Sequence, residues 1–229
     1  MKTFPRERSE SEALTVQSWP LVSAICPTRN RPAFLRKAIA CLQVQTYPNL
    51  ELVIVADGDD VQTTVSNSLW LDVVNPRHAV RYIYLREQMT IGGKRNLACS
   101  RSRGEIICHF DDDDWSHPER IASQVQALRV SGKQVTGYHR MIFVDPSGSR
   151  YQFDGSKWNV CGTSLCYRRD WWGGHRFPPQ SVQEDAVFSN LAHRMGVLHS
   201  CDAEGMMTAT IHPGNTSPRN LNLGMYEAL

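Results

Sequence analysis

Ile106-Ile107-Cys108-His109-Phe110-Asp111-Asp112-Asp113-Asp114-Trp115 is a short apolar run that leads straight into four consecutive carboxylates. At neutral pH two carboxylates ~4 Å apart repel by ~4 kcal/mol at a moderate effective dielectric, so four in a row need a counter-cation or must spread into solvent. Alternate residues of a β-strand share a face, which lets Asp111 and Asp113 point the same way. Oxygen-only ligands with open positions suit Mg²⁺ or Mn²⁺ held jointly by one or two carboxylates and a substrate's phosphates. The competing reading is a solvated turn, or Asp114 opening a helix through Trp115-Ser116-His117-Pro118-Glu119.

Upstream, Leu21-Val22-Ser23-Ala24-Ile25-Cys26 is a continuous apolar run of the kind a buried strand shows, ended by Pro27-Thr28-Arg29-Asn30-Arg31-Pro32. Over 33–45, Phe34, Ala38, Cys41, Leu42 and Gln45 recur at helical spacing, with Pro32 suited to the first turn. A second buried strand, Leu50 to Ala56, ends in Asp57-Gly58-Asp59-Asp60. A helix over 61–71, a third strand over 80–85 and a short helix opened by Gly92-Gly93-Lys94-Arg95-Asn96 return the chain to Ile106. This alternation predicts an α/β domain with an open, mostly parallel, Rossmann-like sheet flanked by helices. Ligands bind beyond the carboxyl ends of the strands in such sheets, where Asp57 and the aspartate run both fall.

The second half is mixed in character. A helix over 118–130 leads to a long strand over 134–144, whose turn Asp145-Pro146-Ser147-Gly148 returns a partner over 150–153. Thr163 to Arg168, the aromatic and glycine-rich Trp171 to Phe177, a helix opening at Glu184-Asp185 and a strand over 205–211 complete the order. Residues 1–18 are polar and read as a disordered or loosely packed arm. Residues 19–229 read as a single domain, with a ligand half at 19–116 and a mixed half at 117–229.

Composition excludes several classes. A net charge of +2 over 229 residues gives no argument for nucleic acid or an anionic membrane surface, and no nucleic-acid partner is expected. The seven cysteines form no CxxC pair, which suggests reduced thiols without disulfides or zinc, as in a cytosolic protein. Met1 to Glu12 is too polar for a secretory signal, and no run approaches the ~20 apolar residues a membrane span needs. The expected place is cytoplasmic, free or peripheral at the inner face of the membrane. Counting from Asp111, an EF-hand would need glycine and glutamate where Ser116 and Ala122 stand. A phosphate loop would need glycine at Gln88, and a haloacid-dehalogenase-type phosphatase would need threonine or valine at Trp115.

With its segments in this order the chain resembles the family 2 glycosyltransferases, which have the GT-A fold. The resemblance is carried by Pro27-Thr28-Arg29-Asn30-Arg31, by Gln45 to Gly58, by Lys94-Arg95-Asn96, by Gly104 to Trp115 with Pro118, by Glu184-Asp185 and by Ile211 to Ser217. It implies inverting transfer from a nucleotide-diphospho-sugar, a UDP-sugar above all, to an acceptor hydroxyl in cell-surface polysaccharide or glycoconjugate synthesis. The acceptor is then a glycan, a lipid-linked group or a small molecule. It also implies that 19–116 binds the nucleotide-sugar and 117–229 the acceptor.

The resemblance also implies roles. Asp111 and Asp113 are the DxD pair, with Asp111 and Asp112 on the donor and Asp113 on Mn²⁺ or Mg²⁺; His212 completes the metal site and Asp114 is close enough to substitute. Asp57 recognises the base beside Pro27 and Arg29, and Asp185 is the general base. Two departures stand out: Ala56 where the family commonly has a first aspartate, and Arg29 where it usually has an aromatic residue. An arginine there can stack on the base or reach a phosphate. Lys94 and Arg95, near a helix opening, read as phosphate counter-charges or as a solvated basic helix start. Trp171, Trp172 and His175 read as acceptor contacts or, for the tryptophans, as core; Gly162 and Glu184 join the acceptor set. The rival functions are a sugar-nucleotide nucleotidyltransferase and a nucleotide-sugar-binding protein without turnover.

Overall fold

A computed structural model of the chain describes residues 19–58, 78–216 and 224–229; the expected arm over 1–18 and helix over 61–71 lie outside the described residues. The strands are β1 (Val22–Arg29), β2 (Leu50–Asp57), β3 (Ala79–Leu85), β4 (Ile106–His109), β5 (Trp115–Ser116), β6 (Val135–Val144), β7 (Arg150–Asp154), β8 (Cys166–Arg168), β9 (Leu198–Asp202), β10 (Met207–Thr210) and β11 (Tyr226–Ala228). The helices are α1 (Pro32–Gln43), α2 (Ile91–Arg101), α3 (Arg120–Ser131), α4 (Arg169–Gly174) and α5 (Glu184–Arg194).

One mixed sheet runs in the order β11-β7-β6-β8-β4-β1-β2-β3. Its β4-β1-β2-β3 part is parallel, and from β8 outward each neighbour is antiparallel to the last. The chain leaves β1 toward β2 and β3, then returns to place β4 on the other side of β1. That reversal makes the β1/β4 junction the switch point, where a crevice opens beyond the strand ends.

Alternation along the central strands sends side chains into two cores. Val22, Ala24, Cys26, Leu52 and Ile54 pack on α1 and α3, whereas Ile25, Val53, Val55 and Ile107 face α2, α4 and α5. Covering both faces explains why these strands read as unbroken apolar runs. On α1 the inward residues are Leu35, Ala38, Ile39 and Leu42, and the helix stops at Gln43, two residues before the expected end. Gln45, just beyond it, is buried because its amide donates to the His117 carbonyl at 2.8 Å while its carbonyl accepts from Ile121 N at 3.2 Å. It thereby anchors the start of α3 against α1.

Glu51 is a carboxylate wholly buried at the far end of β2 from the crevice. Its two oxygens accept from Ser23 Oγ at 2.6 Å, Arg103 N at 2.6 Å and Arg103 Nε at 3.0 Å. Burial pushes its pKa up, but these donors outweigh burial and hold it below the ordinary glutamate value. Glu51 therefore stabilises the fold fully above the usual glutamate range and loses its contribution as pH falls through the depressed folded value. Glu51→Gln should lower unfolding free energy by about 1–3 kcal/mol, because it strands buried donors. Urea melts at neutral pH measure this, and the difference from the parent should shrink in acid.

Candidate functional site

The last ladder contacts of β4 are His109 N to the Leu165 carbonyl and Phe110 N to the Ile25 carbonyl. Asp111–Asp114 follow as a turn rather than as strand, so the expected alternation does not apply and the four carboxylates diverge. Asp111 Oδ2 meets Arg95 Nη2 at 3.3 Å. Asp112 accepts from Thr28 Oγ1 at 2.6 Å and Arg31 Nη1 at 3.0 Å. Asp113 Oδ2 gathers Arg31 Nη1 at 3.0 Å, His212 Nε2 at 3.0 Å and Asn215 Nδ2 at 3.2 Å. Asp114 accepts from Thr163 Oγ1 and, at 3.0 Å, from Thr210 N. Burial first, and neighbouring carboxylates second, push Asp112 up to about 6 and Asp114 up to about 8 against these donors.

Such a set fits a divalent cation. Asp111 Oδ1 is a buried carboxylate oxygen without a hydrogen-bond partner among the described residues. The donors on Asp113 all reach Oδ2, so Oδ1 is left for a ligand. Among the described residues no three carboxylate, histidine or cysteine side chains converge to enclose an ion unaided. A cation held here would take its remaining ligands from substrate phosphates and water. His212, expected as a metal ligand, lies beside Asp113 with Nε2 3.0 Å from Oδ2. Gly214 N donates to its Nδ1 at 3.1 Å, which turns Nε2 toward the aspartate run. Phe34, turned away from the α1 core, stacks on this imidazole at 4.6 Å.

Across the cleft stand Glu184 and Asp185, in the first turn of α5. Asp185 Oδ1 accepts from Ala186 N at 2.7 Å, and its Oδ2 lies against Gly162, where an added Cβ would fall 1.6 Å from that oxygen. Only glycine fits there. Glu184, expected on the acceptor, is instead buried against Arg95 Nε at 3.3 Å. Arg95 joins Asp111 to Glu184 and also touches His109 Nδ1, so it crosslinks the aspartate run to the helix that carries Asp185.

The cleft continues into a second hollow lined by Thr28, Arg29, Gln88, Met89 and Lys94; Pro27 and Arg31 line both. Asp57 lies beneath this hollow, wholly buried, because Lys94 Nζ at 2.5 Å and Met89 N at 2.7 Å occupy its two oxygens. Lys94 also donates to the Thr28 carbonyl at 2.9 Å. The expected free phosphate cations are thus internal: Lys94 serves Asp57, and Arg95 serves Asp111 and Glu184. The opening of α2 is closed as well, since Ile91 N donates to Ser181 Oγ, Gly92 N to the Gln180 carbonyl, and Gly93 N and Lys94 N to Thr90. A Cβ at Gly92 would lie 2.0 Å from the Pro178 carbonyl oxygen, so glycine permits this approach.

Trp171 and Trp172, expected on the acceptor, are 7% and 5% exposed in the second core with Phe177 and Phe188. Short helix α4 turns both inward, so the core reading holds for them. His175 stacks on Trp171 at 3.7 Å. Asn96 explains the Lys-Arg-Asn pattern: its side chain bonds Trp172 Nε1, Phe177 N and the Phe177 carbonyl at 2.8–3.0 Å, fastening the segment that precedes Asp185. Thr28, Arg31 and Asn215 carry no role of their own in the sequence, and Thr163, read with Gly162 as lining the cleft, does line it. Arg31 stood in a quoted motif, but its partners lie more than 80 residues away.

The family model described as "Glycosyl transferase family 2" matches residues 23–182, from β1 to the segment before α5. The chain belongs to this family. An uncharacterized glycosyltransferase of Rickettsia felis is 29% identical over 135 residues, covering 58% of this chain and 22% of that protein. Glycosyltransferase GlyA of Streptococcus pneumoniae is 26% identical over 136 residues, covering 59% and 18%. The match thus spans less than a quarter of either relative. Among solved structures, S. aureus TarS 1-349 in complex with UDP-GlcNAc superposes with a TM-score of 0.70 at 19% identity, over 87% of this chain and 61% of that one. Mannosyltransferase PcManGT from Pyrobaculum calidifontis, in complex with GDP-Man and Mn²⁺, gives 0.68 at 17% identity, over 87% and 59%. This family 2 chain therefore has the GT-A fold of those structures. Among its described residues no helix is long and apolar enough to cross a membrane.

Proposed function

We propose that this family 2 chain transfers a sugar, with inversion, from a nucleotide-diphospho-sugar to an acceptor hydroxyl, using Mn²⁺ or Mg²⁺. A UDP-sugar is the favoured donor, and cell-surface polysaccharide or glycoconjugate synthesis the favoured setting. The observation that carries the reading is the single cleft that Asp111–Asp114 share with Asp185, continuous with the hollow under Arg29. The UDP-GlcNAc complex of TarS and the GDP-Man and Mn²⁺ complex of PcManGT support the donor class.

Asp185 takes the proton of the acceptor hydroxyl as its oxygen attacks the anomeric carbon. The bond from that carbon to the diphosphate breaks, and the nucleoside diphosphate leaves on the opposite face. A bound divalent cation supplies charge neutralisation to the leaving diphosphate. Asp113 and Asp111 offer it oxygens, while Asp57 and Lys94 set the floor of the nucleotide hollow. Arg95 keeps Asp111 and α5 in register, so donor and base approach each other in one geometry.

Titration calorimetry with UDP, GDP and dTDP, each with Mn²⁺ and with EDTA, tests the donor site. Metal-dependent binding of one nucleotide is expected; binding of none in Mn²⁺ overturns the reading. A hydrolysis assay on UDP-sugars separates turnover from mere binding. Gly162→Ala should cost transfer about 10²-fold, since a displacement of about 1 Å at a catalytic group has that effect. Transfer assays at matched nucleotide saturation would show it, with UDP affinity unchanged.

A further inference from the structure

The turn after β1 sends its two arginines in opposite directions. Asn30, between them, has a left-handed φ of 51°. Arg29 lies 3.7 Å from Asp57 on the nucleotide side, whereas Arg31 reaches the aspartate run. Arg31 Nη1 is 3.0 Å from both Asp112 Oδ1 and Asp113 Oδ2, and its Nη2 donates to the Gly214 carbonyl, between His212 and Asn215. One guanidinium thus bridges two adjacent carboxylates and ties the end of β1 to the loop after β10. Its side chain is 22% exposed, against 4% for Arg95, so it has room to leave its partners.

We propose that Arg31 is a displaceable counter-cation. It neutralises Asp112 and Asp113 and holds the Gly214 loop while no donor is bound, and it passes to the donor's diphosphate when a divalent cation takes over Asp113. The proposal rests on the nucleotide-diphosphate reading above. Three points carry it. A guanidinium paired with Asp113 and a divalent cation on that same carboxylate repel each other. Arginine does not give up its proton, so it yields the place only by moving. Its planar fork matches phosphate oxygens, and it lines both the carboxylate cleft and the adjoining hollow, so a diphosphate crossing from one to the other lies within its reach.

The test uses the full chain and the variants Arg31→Gln and Arg31→Lys. Mn²⁺ alone is titrated while the paramagnetic resonance of the free ion is followed; UDP is then titrated calorimetrically at saturating Mn²⁺. Arg31→Gln should bind Mn²⁺ about tenfold more tightly and UDP about tenfold more weakly. Arg31→Lys, which keeps the charge, should leave Mn²⁺ affinity near that of the parent. The opposite signs of the two shifts are the signature, because loss of a purely structural arginine would weaken both or neither. Unchanged or weaker Mn²⁺ binding by Arg31→Gln overturns the displacement while leaving the donor reading intact. Failure of every variant and the parent to bind either Mn²⁺ or UDP, with thermal melts unaltered, overturns the donor reading and the proposal together.

Discussion

Asp185→Asn should reduce transfer by about 10²–10⁴-fold, the contribution of a positioned general base, while UDP binding stays within about twofold of the parent. The amide keeps the shape of the side chain and its contact with Ala186 N, but it cannot take the hydroxyl proton. Asp185 stands in the first turn of α5, away from the residues that line the nucleotide hollow, which is why binding and turnover should separate. Single-turnover assays with donor and acceptor, alongside UDP calorimetry, measure both quantities. Full turnover in a folded Asp185→Asn protein would remove the base from this position. A parallel fall in UDP affinity would instead place Asp185 in donor binding.

Asp113→Asn should weaken Mn²⁺-dependent UDP binding by about 10²–10³-fold, since a cation at a diphosphate contributes several kcal/mol. Asp113 also receives Arg31, His212 and Asn215 on one oxygen, so its charge organises the loop after β10. The variant should therefore show faster hydrogen exchange at 212–215 with little change in the melting of the central sheet. Binding by the parent should weaken as pH falls from 8 toward 6. Burial raises Asp114 to about 8 and Asp112 to about 6, and each proton those groups take up removes a negative charge beside the cation. Equal UDP affinity with and without Asp113 would remove it from the cation site.

Local sequence made most of the scaffold legible. Leu21–Cys26 and Leu50–Ala56 are apolar without alternation because helices cover both faces of β1 and β2, and Pro32 opens α1. Phe34 shows where periodicity misleads: it shares the helical spacing of the core residues, yet its ring stacks on His212. The tryptophans of α4 show the converse, since an aromatic cluster beside glycines resembles a binding surface until its helix is seen packing into the core. Glu51 carried no signal beyond being a charge within an apolar strand, because its donors come from Ser23 and Arg103.

An α/β sheet ending in carboxylates at Asp57 and Asp111–Asp114 is legible along the chain, because strand and helix periods and acidic runs are properties of neighbouring residues. Which of those carboxylates stay open to a ligand depends on partners that folding brings from far along the chain. Lys94 closes Asp57 across 37 positions, Arg31 bridges Asp112 and Asp113 across 81 and 82, and His212 reaches Asp113 across 99. Charge pairing depends on distance in space, and those distances come from the return of β4 to the far side of β1 and from the loop after β10, whose His212 and Asn215 reach Asp113.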